Sequence, residues 1–244
     1  MSTMAVSIRP IPPVPVSADF RHWLARAWSL YRAAPFTGWL LAMLPMIGEL
    51  VLQLAVPVAG TLLSKVLVPL LGGWALVLVH RRATTGAYGV RAGSVAWTGR
   101  IPALLVLALA SAVLVFGFQM LVLALIAGAD QARAAALQDM DALDLSRWQV
   151  AGMLASGLLP SLLLLFAPAQ VLLGGRSAPA AAADSLRAVV RWRVPLLPFA
   201  GMAVVLLLAV VWMPLVLLVL PVVFLYAGYA AWECVFGAAA CDAG

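Results

Sequence analysis

Two ionisable side chains, Glu49 and Lys65, stand inside an apolar stretch running from Ala33 to Val79. An acid and a base held among apolar residues can neutralise each other as an ion pair, or they can form part of a proton or ion path. Each lies eight residues from Pro57, one before it and one after. An antiparallel hairpin turning at Pro57 puts both on the order of 10 Å from the turn. The spacing predicts that they pair and hold this hairpin together. The alternatives are a role in ion movement, or snorkelling of one or both to the interface. The neutral amides Gln53, Gln119 and Gln170 also fall in apolar stretches. Such groups more often hydrogen-bond between helices than bind a substrate.

Other chemistry is sparse. Cys234 and Cys241, with His22 and His80, give no metal-ligand spacing. Both cysteines fall near the C-terminus, on the side assigned below to the cytoplasm, so no structural disulfide is expected. Both histidines read as interface residues. The chain shows no nucleophile motif, no phosphate loop, no paired histidines on a helix face and no acidic pair at catalytic spacing. The expectation is no catalytic residue, no metal, no cofactor and no enzyme activity.

The elements that must position these groups follow from composition. Of 244 residues, 65% are hydrophobic and 10% charged, whereas soluble domains are roughly half apolar and a quarter charged. Lipid is the consistent solvent. The net charge is +6, but the basic residues sit in short clusters between apolar runs. That is how charge is arranged around a membrane, and it argues against nucleic acid as a partner.

A bilayer core about 30 Å thick takes about 20 helical residues per crossing. Uncharged runs of 29 residues between Arg100 and Asp130, and of 28 between Arg147 and Arg176, each suit one span. The 39 residues between Arg193 and Glu233 must fold back, and Trp212–Met213–Pro214 lies at their midpoint. Tryptophan favours the headgroup level and proline the first turn of a helix. The 47 residues of Ala33–Val79 make two crossings, with Pro57 and Gly60 at the turn. The spans read Phe36–Val56, Gly60–Val79, Ile101–Ala127, Val150–Leu173, Pro195–Val211 and Pro214–Phe236. Five spans with one re-entrant hairpin is the competing count. Pro69, Pro160, Pro168, Pro198 and Pro221 interrupt spans, as kinks or as the broken helices of transporter sites.

Six spans place twelve arginines on the side of the N-terminus and only Lys65, Arg133 and Arg147 on the other. Basic residues are held back from translocation, so both termini are expected in the cytoplasm. The acidic segment Asp130–Trp148 then faces outward, with a short surface helix around Leu137, Met140 and Leu143.

Three stretches look like repeats of one unit, each basic and aromatic, ending at a proline before a span. They are Trp28–Pro35, Trp97–Pro102 and Arg191–Pro195, and they divide the spans into three hairpins. In the first, Phe20, Trp23, Leu24, Ala27, Trp28 and Tyr31 follow one helix face, with Arg21, His22, Arg26, Ser29 and Arg32 opposite. Ser17 and Asp19 suit the helix start. Phe20, Trp23, Arg26, Trp28 and Arg32 are the candidates for interfacial lipid contact. The alternative is that this helix packs on the cytoplasmic ends of the spans. Ala180–Arg193 has the same character.

Phe166-Ala167-Pro168-Ala169-Gln170-Val171, then Ser185-Leu186-Arg187-Ala188, and the ending Tyr229-Ala230-Ala231-Trp232-Glu233-Cys234-Val235-Phe236 resemble an uncharacterised bacterial multi-pass inner-membrane protein family (BPSS-type, a domain of unknown function). The family's ending usually has Arg-Asp where this chain has Glu233-Cys234. The resemblance covers most of Trp23–Phe236. It implies six inner-membrane spans and adds no mechanism.

The expected fold is all-α: a polytopic helical membrane protein with six transmembrane helices as three hairpins and an N-terminal amphipathic interfacial helix. Residues 1–16 form a disordered proline-rich tail, 17–35 the interfacial helix, 36–236 the transmembrane domain and 237–244 a C-terminal tail. The expected function is a non-catalytic integral protein of the bacterial inner (plasma) membrane. It acts through the phospholipid bilayer or a partner, which is another membrane protein or a further copy in a homo-oligomer. The alternative is a subunit of a small-molecule or ion transporter or channel.

Overall fold

Prolines and glycines cut the chain into helices. The computed structural model describes residues 20–137, 139 and 141–237, and every regular element among them is helical. The first is α1 (Phe20–Arg32). Pro35 then opens α2 (Pro35–Ala55), and Pro57 opens α3 (Pro57–Thr85). Proline suits both places because a first-turn N–H has no helical partner to lose. α3 stops at Gly86, whose φ of +78° is left-handed and accessible to glycine without strain. α4 (Val90–Thr98) and α5 (Ile101–Ala127) follow, and α6 (Ala129–Leu137) begins beyond Gly128.

The next stretch is broken into α7 (Arg147–Ser156), α8 (Leu158–Leu163) and α9 (Ala167–Leu172). Ser146 and Gln149 form a reciprocal capping box at its start. After α10 (Ala178–Arg191) and α11 (Arg193–Trp212), a 3-10 turn over Pro214–Leu218 leads into α12 (Leu220–Phe236).

Five stretches are long and apolar enough to cross a membrane: Pro35–Ala55, Leu63–Thr85, Ile101–Ala127, Arg147–Leu172 and Arg193–Trp212. Leu220–Phe236 is apolar but has 17 residues. The expected span Val150–Leu173 is therefore three short helices, and Pro214–Phe236 is a 3-10 turn plus a short helix.

The helices pack in a regular order. α2 lies along α3, α3 along α5, α11 along α7, and α12 along both α2 and α3. The amphipathic helices follow a rule of their own: α4 packs on α3, α10 on α9, and α1 on α12. Trp97 of α4 donates its indole N–H to the Leu70 carbonyl of α3 at 3.1 Å, and Trp74 of α3 donates to Ser94 Oγ at 3.0 Å. Gly93 lets α4 approach α3 closely: a Cβ there would sit 2.6 Å from Leu78.

The largest core lies where α1, α9, α10, α11 and α12 meet. It holds Trp23, Leu30, Phe166, Trp192, Phe199 and Tyr229. α12 contributes more to it than any other helix, burying Tyr226, Ala227, Tyr229, Ala230, Ala231 and Trp232. α2, α5 and α11 instead carry apolar side chains outward: Leu54, Val113, Leu125 and Val205 are all exposed.

Several expectations need correction. The expected tail over 1–16, the cap Ser17 and Asp19 lie outside the described residues. Helix α1 ends at Arg32, three residues before the expected end. The outer surface helix, α6, stops at Leu137; Leu143 is not helical, and Met140 lies outside the described residues. Instead, Gln131 ties that segment down, donating to the Ala142 carbonyl at 3.3 Å and accepting from the Asp144 N–H at 2.9 Å. The C-terminal tail is described only at Gly237.

Candidate functional site

Two polar clusters interrupt the apolar frame. In the first, α2 and α3 diverge from the turn at Val56–Pro57 and bring Lys65 Nζ to 3.8 Å from Glu49 Oε1. The same oxygen accepts from Ser64 Oγ at 3.1 Å and from Gln53 Nε2 at 3.2 Å. Ser64 is fully buried, whereas the Lys65 side chain is 48% exposed and that of Glu49 24%. Glu49 is thus the hub, and its closest donors are neutral. A carboxylate held by donors of its own hairpin stabilises that hairpin.

The second cluster joins three helices. Arg26 of α1 grips Glu233 of α12 with two nitrogens: Nε donates to Oε2 at 2.8 Å, and Nη2 to Oε1 at 3.0 Å. This planar fork is the strongest ion-pair geometry available to arginine. The hydrogen bond to Glu233 holds the Arg26 pKa above its usual value, against partial desolvation. Tyr229 Oη donates to Glu233 Oε1 at 3.4 Å and also lies 3.1 Å from His80 Nδ1 of α3. Trp232 meets the His80 ring edge-on at 5.8 Å. The indole nitrogens of Trp23 and Trp232 are buried without a hydrogen-bond partner.

This cluster was not legible as a unit, because Arg26 and Glu233 are 207 residues apart. It also corrects several expectations. Trp23 is fully buried and cannot touch lipid; its place on α1 turns it, with Ala27 and Leu30, toward α12. Arg26 is engaged by Glu233, with its side chain 36% exposed. Phe20 is half-buried against the same core. Of the five lipid-contact candidates, only Trp28 and Arg32 are exposed. His80 is half-buried in the network, while His22 is exposed. Cys234 is disulfide-bonded, against the expectation of a free thiol.

The remaining amides lie apart from both clusters. Gln119 of α5 sits over Gly157, where a Cβ would come within 2.6 Å of its nitrogen. Gln170 is buried in α9. A crevice of about 270 Å³ opens between α3, α5 and the α8–α9 break, and its lining includes none of Glu49, Gln119 or Gln170. Among the described residues, no three His, Cys, Asp or Glu side chains group to hold a metal. Neither family models, curated proteins nor solved structures give a match to this chain.

Proposed function

We propose that this chain is an integral protein of the bacterial inner membrane. In this reading it crosses six times as three hairpins, has both termini in the cytoplasm, and works without catalysis through contacts with lipid or a membrane partner. The observation that carries the reading is the outward apolar surface of α2, α5 and α11. Leu54, Leu125 and Val205, each more than half exposed, would face water at high cost and face hydrocarbon at none. The sixth crossing joins the 3-10 turn to α12. At about 2.0 Å per residue and then about 1.5 Å, Pro214–Phe236 extends about 35 Å, enough for the bilayer core. α1, α4 and α10 then lie at the inner interface, and membership of the resembled inner-membrane family belongs to the same proposal. Reporter fusions after His80 and after Gly128 test the reading and should fall on opposite sides. Both on one side would overturn it.

A transporter is the second reading, favoured by the break between α8 and α9 beside the crevice. Its test is substrate-dependent thermal stabilisation of the purified protein.

A further inference from the structure

α5 begins just after Arg100, and α9 is followed within four residues by Arg176. These two ends are tied together, since Arg100 Nη1 donates to the Gly175 carbonyl at 3.3 Å. Arg187 of α10 completes the group. Asp184 accepts from Arg176 at 2.9 Å and from Arg187 at 3.2 Å. Two guanidinium groups share one carboxylate and Arg100 joins them through the Gly175 carbonyl, so three cations stand against one acid, a net charge of +2. The acid is covered, at 13% exposure, while the Arg187 side chain is 74% exposed, so the cations face outward.

The crevice of about 270 Å³ lies between α3, α5 and the α8–α9 break. Leu104, Leu107 and Ala108 of α5 form one wall, Leu164 and Pro168 another, and Pro69 of α3 the floor. Leu104 is about 6 Å along α5 from Arg100, and α9, which holds Pro168, ends three residues before Gly175. The volume falls just below the roughly 300–1,000 Å³ of sites that enclose a whole small molecule. Its lining is almost wholly apolar, which suits a length of hydrocarbon and not a hydrated solute.

We propose that this is a binding site for one anionic phospholipid, with the phosphate held by Arg100, Arg176 and Arg187 and an acyl chain seated in the crevice. Uncompensated positive charge selects an anionic headgroup over a zwitterionic one. The proposal rests on the membrane placement argued above.

The test is thermal unfolding of the full chain in neutral detergent, titrated with phosphatidylglycerol, phosphatidylcholine or glycerol phosphate. Phosphatidylglycerol should stabilise at the lowest concentration, and glycerol phosphate not at all. Arg100→Gln with Arg176→Gln should raise the half-maximal lipid concentration about tenfold. Ser111→Phe, which fills the crevice while leaving the arginines intact, should raise it likewise. If the double variant does not fold, Arg187→Gln, on an exposed side chain, should give a smaller rise in the same direction. Equal effects of the two phospholipids overturn the headgroup site. An unchanged titration in Ser111→Phe, or stabilisation by glycerol phosphate, overturns the acyl seat. Release of the chain from membranes by alkaline carbonate is a separate readout, which sinks the membrane placement itself.

Discussion

Glu233→Gln keeps the side chain's size and removes the charge that Arg26 grips. The Arg26 side chain is 36% exposed, so water replaces part of what is lost. The expected cost is about 1 kcal/mol, below the several of a fully buried pair. A double-mutant cycle with Arg26→Ala, read by thermal unfolding in detergent, should return a coupling of that size. Strict additivity would show that the fork contributes nothing. Glu49 presents the opposite geometry, with several donors converging on one oxygen. Glu49→Gln therefore disturbs Ser64, Gln53 and Lys65 together, whereas Lys65→Met removes only the most distant contact. Membrane accumulation should fall in both variants, and further in Glu49→Gln. Wild-type levels in both would refute a structural role for the pair.

Among the helices, α10 reaches across the break between α8 and α9 with a single buried hydroxyl. Ser185 Oγ donates to the Leu163 carbonyl at 2.9 Å and accepts the Phe166 N–H at 3.1 Å. A break in a helix frees backbone groups of this kind, and burial makes them costly to leave unpaired. Ser185→Ala should cost about 1–3 kcal/mol, measured as a lower unfolding temperature. Ser185→Thr, which keeps the hydroxyl, should restore part of it. Pro168 announced the break in the sequence, since its ring clashes with the carbonyl four residues earlier, at Leu164, although Leu164–Phe166 itself contains neither glycine nor proline. Helix positions were easier to read, because Pro35, Pro57 and Gly86 act locally through backbone geometry. The facing of α1 was not readable. A stripe spaced at i, i+3 and i+4 fits a lipid surface and a protein groove equally well, so Trp23 and Trp28 looked alike. One is enclosed and the other exposed because α12 lies beside only one of them. The approach of Glu49 to Lys65 had a local origin, a turn at Pro57 with equal spacing on either side.

For the whole molecule, the packed interior is unevenly distributed. α12 is heavily buried, while α2, α5 and α11 remain mostly outward-facing. Substituting Leu125 by Asn on the exposed surface of α5 should therefore leave folding in detergent nearly unchanged. Ala231→Leu, at a fully buried site on α12, should lower the unfolding temperature measurably, as overpacking costs about 1–3 kcal/mol. Similar effects of the two substitutions would contradict this distribution of packing. The contact of α1 with α12 also sets an order on assembly. α1 precedes α12 in the chain, so it is translated before most of the surface that encloses Trp23. Until the ribosome completes Glu233, α1 has only its smaller contacts with α2 and α11, and Trp23 lacks most of its cover. Any truncation that removes α12 leaves α1 in that unfinished condition permanently.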